Sequence, residues 1–212
     1  MKELAVRNLG MCEYQTALAL QQDLVDRRAR GDTSDVLLLL QHPPVFTMGR
    51  GSCAEAPKID GIAVHAVERG GATTYHGPGQ QMAYPILFLE EEERDLHRYL
   101  RSLEQGGIDT CRAVGIDAGR NPDHTGIWVG DRKIASIGVA VRKWVTYHGL
   151  ALNVDGDLGP FRKFSPCGLD GRVITSLEEC GVSEEKRAGI PALLMNHLAA
   201  ALGREIRGHS LN

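Results

Sequence analysis

The chain has 212 residues, 42% of them hydrophobic and 24% charged, with a formal net charge of -3. Such a composition suits a globular protein able to bury a sizeable core, and one domain over residues 1–212 is expected. The slightly acidic balance lacks the basic stripe that a nucleic-acid binder needs to neutralise phosphates, and it offers no polybasic anchor for a membrane surface. No apolar run approaches the roughly 18 residues of a membrane-spanning helix, and Met1 to Arg7 contain no apolar signal core. The five cysteines are odd in number, scattered, and without a C-x-x-C pair. They indicate neither a disulfide framework nor a zinc site. No metal or other cofactor is expected, and a reducing cytoplasm is the expected compartment.

In chain order, apolar spacing predicts a first helix over residues 13–30, with Tyr14, Ala17, Leu18, Leu24 and Val25 on one face and Gly31 as its stop. Residues 36–40 read as a buried strand closed by Gln41, His42, Pro43 and Pro44. Short strands are expected over 62–67 and 83–89, the second an edge or bulged strand because of Pro85. A second helix is predicted over 95–114, with Leu96, Tyr99, Leu100, Leu103 and Cys111 in its stripe and Gly106 and Gly107 weakening its middle. Residues 126–129 and 133–137 flank a Gly130-Asp131-Arg132 turn and read as a hairpin. Another strand is expected over 147–154. The last third reads as helical, with capping-box spacing in Thr175 to Glu179 and an amphipathic run started by Pro191. Strands and helices mix without regular alternation, which favours an α+β fold over a doubly wound sheet.

Two segments have the look of chemistry. Arg69 to Gln80 carries four glycines and a proline threaded with Arg, Thr, Tyr and His, a pattern that brings backbone amides close to a ligand. The same glycines also suit a tight β-connection. The segment is neither a Walker loop nor a dinucleotide fingerprint, because it lacks both spacings. The second segment, Phe164 to Leu169, sets Cys167 between Pro166 and Gly168. Pro166 disfavours helix at Ser165, and Gly168 opens unusual backbone angles, so the cysteine sits on a constrained turn. Cys111 and Cys180, on a helix face and a helix end, read as small core residues. Cys167 reads equally as structural or reactive on these grounds.

A thiol with a pKa near 8.5 is mostly protonated at neutral pH and needs a partner to act as a nucleophile. A lysine ammonium about 4 Å away favours the thiolate by roughly 4 kcal/mol at an effective dielectric of about 20, before desolvation. Lys133 is a candidate, since it opens a strand otherwise built of Ile134, Ala135, Ile137, Val139 and Val141; a solvated strand end is the plainer alternative. His76 and His148 are weighed as partners of the thiol or of an acyl carbonyl, against purely structural roles.

Five segments in order resemble the lipoyl(octanoyl) transferase family. They are His42-Pro43-Pro44 through Gly49-Arg50; Arg69-Gly70-Gly71 with Thr74 to Gln80; Gly126 to Val129 followed by Lys133 to Gly138; His148 to Val154; and Phe161 leading into Pro166-Cys167-Gly168. Phe164 departs from the isoleucine more usual there. The resemblance implies a mixed sheet packed by helices, as in the catalytic domain of biotin and lipoate protein ligases. It implies Cys167 as the acyl-carrying nucleophile and Lys133 as the residue that lowers its pKa. The acyl site would be lined by Arg69, Gly70, Gly71, Ala72, Thr73, Thr74, Tyr75 and His76, by Ser136, Ile137 and Gly138, and by Gly149, Leu150 and Ala151. The implied donor is octanoyl-acyl carrier protein. The implied acceptors are lipoyl domains of 2-oxo acid dehydrogenases and the glycine cleavage H protein. An ATP-dependent lipoate-protein ligase of the same fold, a Cys-dependent hydrolase using His76 or His148, and a non-catalytic binding module are the alternatives.

Overall fold

The computed structural model describes residues 2–52, 57, 61–164 and 170–210, the last three through their backbone alone. Its framework is a seven-stranded mixed sheet. The strands, in chain order, are β1 (Lys2–Met11), β2 (Asp35–Gln41), β6 (Gln80–Ile86), β7 (Ile127–Val129), β8 (Arg132–Arg142), β9 (Val145–Asn153) and β10 (Arg204–Ser210). Their spatial order is β10-β1-β2-β6-β9-β8-β7. The β10-β1 and β1-β2 pairs are parallel and the rest antiparallel. A second, three-stranded sheet sets β3 (Val45–Met48) between β4 (Ala63–Ala66) and β5 (Thr73–His76). The helices are α1 (Tyr14–Arg30), α2 (Leu96–Ala113), α3 (Glu184–Ala188) and α4 (Ile190–Ala201).

Side-chain alternation along β2 explains why the large sheet is covered on both faces. Leu37 and Leu39 join the apolar cluster built with α2 and α4, through Leu103, Ile108, Leu194 and Leu198. Leu38 and Leu40 point the other way, into a cluster with Leu24 and Val25 of α1. All four leucines are fully buried, each contributing about 2 kcal/mol of apolar transfer. Helix α1 ends on Gly31 in the left-handed region (φ 80°), and α2 starts at Asp95, whose carboxylate accepts from the Arg98 N–H. Gly106 and Gly107 sit where α2 is most crowded. A Cβ at Gly106 would lie 2.7 Å from Leu198 Cδ2, and one at Gly107 2.1 Å from Ile127 Cδ1. The two glycines that lower helix propensity are what let α2 meet α4 and the sheet.

Three expectations are corrected. The strand containing Pro85 is central, between β2 and β9, rather than at an edge. Its ladder with β9 stops at the Ala83–Leu150 pair, so the missing N–H of Pro85 falls where the ladder has parted. The Thr146 hydroxyl fills the break, donating to Pro85 O (2.8 Å) and accepting from Leu87 N–H (3.0 Å). Second, the capping-box spacing near Thr175 yields one turn and no helix. Glu179 N–H donates to Ser176 Oγ (3.1 Å), but Gly181 at φ 83° then turns the chain away. Third, Leu96 in the predicted α2 stripe is exposed, because it lies in the first turn, outside the α2–α4 contact. Among the described residues, no helix is long and apolar enough to cross a membrane.

Candidate active site

The β8–β9 hairpin turns at Lys143 and Trp144, both left-handed (φ 53° and 61°), and its register fixes the floor of a cavity. Ser136 lies opposite Ala151, Gly138 opposite Gly149, and Val139 opposite His148. From β6, on the other side of β9, Met82 and Tyr84 complete the floor. The segment before β5 crosses above it, where Gly70 N–H donates to Val139 O (2.9 Å). This crossing requires a glycine beneath it: a Cβ on Gly138 would lie 3.0 Å from both Arg69 Cδ and Gly70 O. The cavity volume is about 220 Å³.

The two ends of the cavity differ in exposure and chemistry. At the mouth are Asp123, His124 and Thr125, all exposed, and Lys133, which is only 5% exposed. Lys133 is paired with Trp128 across the β7–β8 hairpin, and its Nζ lies 5.7 Å from the Trp128 ring centroid. At the blind end Arg69, Tyr14, Tyr84 and His148 are all buried.

Hydrogen bonds fix the tautomers at the blind end. His42 Nδ1 donates to Cys12 O (2.7 Å), so its Nε2 accepts from the Tyr84 hydroxyl (2.9 Å). Arg69 Nη2 donates to both Thr47 O and Thr47 Oγ1 (2.8 Å each). The Thr47 hydroxyl therefore donates onward to His76 Nε2 (3.4 Å), and His76 Nδ1 donates to Gln80 Oε1 (3.1 Å). With both ring nitrogens engaged, His76 has no lone pair left for a thiol. Burial holds the His76 imidazole well below its usual pKa, with the charges of His42 and Arg69 acting the same way. Burial, and then Arg69, pushes His148 down to about 3. Both imidazoles are neutral at physiological pH.

The model of the lipoyl protein ligase A/B catalytic domain matches residues 13–197. An octanoyltransferase of Geobacter metallireducens is 50% identical over 174 residues, covering 82% of each chain. The chain belongs to the octanoyltransferase family. It is an acyltransferase. Solved structures agree on the fold: a bi-partite lipoate protein ligase from Thermoplasma acidophilum superimposes with a TM-score of 0.72 at 18% identity, covering 100% of this chain and 87% of that one. Biotin protein ligase from Aquifex aeolicus follows at a TM-score of 0.53 and 11% identity, covering 96% and 70%. The mixed sheet packed by helices is thus the ligase catalytic fold that the sequence motifs implied.

For this octanoyltransferase-family chain, the cavity wall includes Arg69, Gly71, Thr74 and His76 from the glycine-rich segment. It also includes the expected trios from β8 and β9. Gly70, Ala72, Thr73 and Tyr75 are not on it. The period of a strand explains the split along β5: Thr74 and His76 face the cavity, while Tyr75 points the other way, onto Phe46 and Phe161. Cys167 lies outside the described residues. Sequence reading placed Tyr14 only in a helix stripe and did not single out Met82, Tyr84 or Asp123 to Thr125. The hydroxyl of Tyr84 inside an apolar strand was an available signal. Asp123 to Thr125 sit in a loop with no local mark of function.

Proposed function

We propose that the protein transfers an octanoyl group from acyl carrier protein, through a thioester on Cys167, to the ε-amine of a lysine on a lipoyl domain in the cytoplasm. The observation that carries this reading is the near-complete burial of Lys133 at the mouth of a blind cavity, in a chain of the octanoyltransferase family. A lysine buried beside a cavity in this way is a candidate for chemistry there. Water is largely kept from it, so its field would act on a thiolate brought beside it with little screening.

In the first step the Cys167 thiolate attacks the octanoyl thioester. The new C–S bond forms as the bond to the carrier's pantetheine sulfur breaks, and the departing thiolate takes the proton of the Lys133 ammonium. With the thiolate gone as a counter-charge, neutral Lys133 is the favoured form beside an apolar chain. In the second step Lys133 takes a proton from the attacking lysine amine, the amide forms, and the C–S bond to Cys167 breaks. The thiolate and the ammonium are then restored together. The donor is already activated as a thioester, so no ATP is consumed. Lipoyl domains of 2-oxo acid dehydrogenases and the glycine cleavage H protein are the acceptors. The engaged nitrogens of His76 speak against the hydrolase alternative based on that residue.

The test is intact mass spectrometry after incubation with octanoyl-acyl carrier protein and no ATP. One hydroxylamine-labile octanoyl group on Cys167, passed on when apo lipoyl domain is added, is the expected result. Full transfer by Cys167→Ala, or an absolute need for ATP, overturns the reading.

A further inference from the structure

The blind end of the cavity is polar, although an octanoyl chain ends in a methyl group. His148 is 2% exposed and its Nε2 has no hydrogen-bond partner among the described residues. A buried polar atom of this kind is expensive unless something pairs with it. The residue is also held in an unusual backbone conformation, φ 58°, which costs free energy. Gln21 of α1 holds the kink: its Oε1 accepts from the His148 backbone N–H (2.8 Å), while Gln21 Nε2 is likewise buried and unpartnered. Around the imidazole stand the rings of Tyr147 (4.9 Å) and Tyr84 (6.4 Å).

Position along the strands connects His148 to the acyl chain. His148 pairs with Val139, six residues along β8 from Lys133. Six residues of strand span roughly 20 Å between Cα atoms. Lys133 and His148 both line the one cavity over this interval. A fully extended eight-carbon chain is about 10 Å long, given C–C bonds near 1.5 Å, so a chain laid along this cavity from the Lys133 end spans about half of the interval toward His148.

We propose that the blind end is a subsite for a polar group at the far end of the acyl chain, with His148 as its specificity-determining residue. The substrate class this adds is the ω-hydroxyacyl thioester. A neutral imidazole offers one donor and one acceptor nitrogen, so it pairs with a hydroxyl in either sense, whereas a methyl end leaves Nε2 unpaired. The inference rests on the acyl-site reading of the cavity given above.

The experiment compares 8-hydroxyoctanoyl- and nonanoyl-acyl carrier protein as donors to an apo lipoyl domain; the two acyl groups have the same number of heavy atoms. With the wild-type protein, kcat/KM is expected to favour the hydroxylated donor by roughly tenfold, and His148→Leu to abolish that preference. A wild-type protein that handles nonanoyl equally well or better overturns the proposal, whether or not His148→Leu folds. If neither donor is used and octanoyl is not transferred either, the functional reading falls. Calorimetric titration of free 8-hydroxyoctanoate against nonanoate then decides the subsite by itself: tighter binding of the hydroxy acid supports it, equal binding removes it.

Discussion

Gly126 and Lys133 occupy the same space: a Cβ on Gly126 would lie 2.6 Å from Lys133 Cε and 3.3 Å from Nζ. At φ 133° the position also disfavours any L side chain. The lysine reaches the cavity mouth through the gap that this glycine leaves. Gly126→Ala should therefore displace the ammonium, lowering octanoyl transfer by tenfold or more, with a stability loss of about 1–3 kcal/mol. Steady-state transfer assays beside urea denaturation separate the two effects. Wild-type turnover in a folded Gly126→Ala protein would exclude a positioned Lys133.

Glu104 holds the other side of that gap. Its carboxylate, 1% exposed, accepts from Arg101 Nη1 (2.7 Å) and Arg120 Nε (3.0 Å) through one oxygen and from Gly126 N–H (3.2 Å) through the other. The arginines reach solvent, which weakens the ion pairs, but the backbone N–H at Gly126 is buried with no alternative acceptor shown. Glu104→Ala should cost about 2 kcal/mol. It should also speed amide hydrogen exchange in residues 120–126 more than elsewhere, a pattern that exchange mass spectrometry reads directly. Uniform exchange across the chain would contradict it.

Acidification should destabilise the fold. His42, His76 and His148 are all held below the ordinary imidazole pKa, in each case first by burial, and His148 to about 3. In the unfolded chain these imidazoles protonate near pH 6.5. Between about pH 6.5 and 3 the unfolded state thus binds more protons, so stability rises with pH in that window and is lost as pH falls. Glu93 adds to the loss below about pH 4.5, because hydrogen bonds from Arg204 and Lys2 outweigh burial and hold it at about 2. Urea midpoints measured from pH 7 to 4 should decline. A flat profile would mean that the histidines are not buried neutral.

Arg204 ties the last strand to the middle of the sheet. Its guanidinium, 3% exposed, bonds Asp35 Oδ2 (2.8 Å) and Glu93 Oε1 (2.7 Å), while Arg28 Nε bonds Asp35 Oδ1 (2.7 Å). Arg204→Ala leaves the Asp35 carboxylate, 1% exposed, short of a partner and should cost about 3–5 kcal/mol. The melting temperature should drop by roughly 10 °C. Arg204→Met, which fills the volume but leaves Asp35 equally unpaired, should cost less by the packing share alone; equal losses for the two variants would show that charge pairing rather than packing is what Arg204 supplies.

Much of the layout was legible because it is local. Apolar spacing marked α1 and α2, turn residues marked the β7–β8 hairpin, and Pro191 marked the start of α4. Strands β1, β3, β5 and β10 were not read, for a common reason. Each takes its structure from pairing with a segment distant in sequence: β1 lies beside β10 with Lys2 opposite Arg204, and β5 pairs with β3 across Phe46 and Tyr75. Pro85 misled because the break that accommodates it is made by Thr146, on another strand.

The sequence by itself determined the family, the α+β class and the candidate chemistry of Cys167 and Lys133, since these rest on residue types in a fixed order. Only the tertiary structure decided that Lys133 is buried at a cavity mouth and that His76 is committed to Thr47 and Gln80. It also decided that Tyr14, Tyr84 and His148 close the far end. Those properties depend on the register of β8 against β9 and on the crossing of Arg69 over Gly138. Some of these contacts are local and others, such as Arg69 with Gly138 and Thr47 with His76, join segments tens of residues apart. Spacing along the chain does not encode the burial and partners that set a side chain's charge.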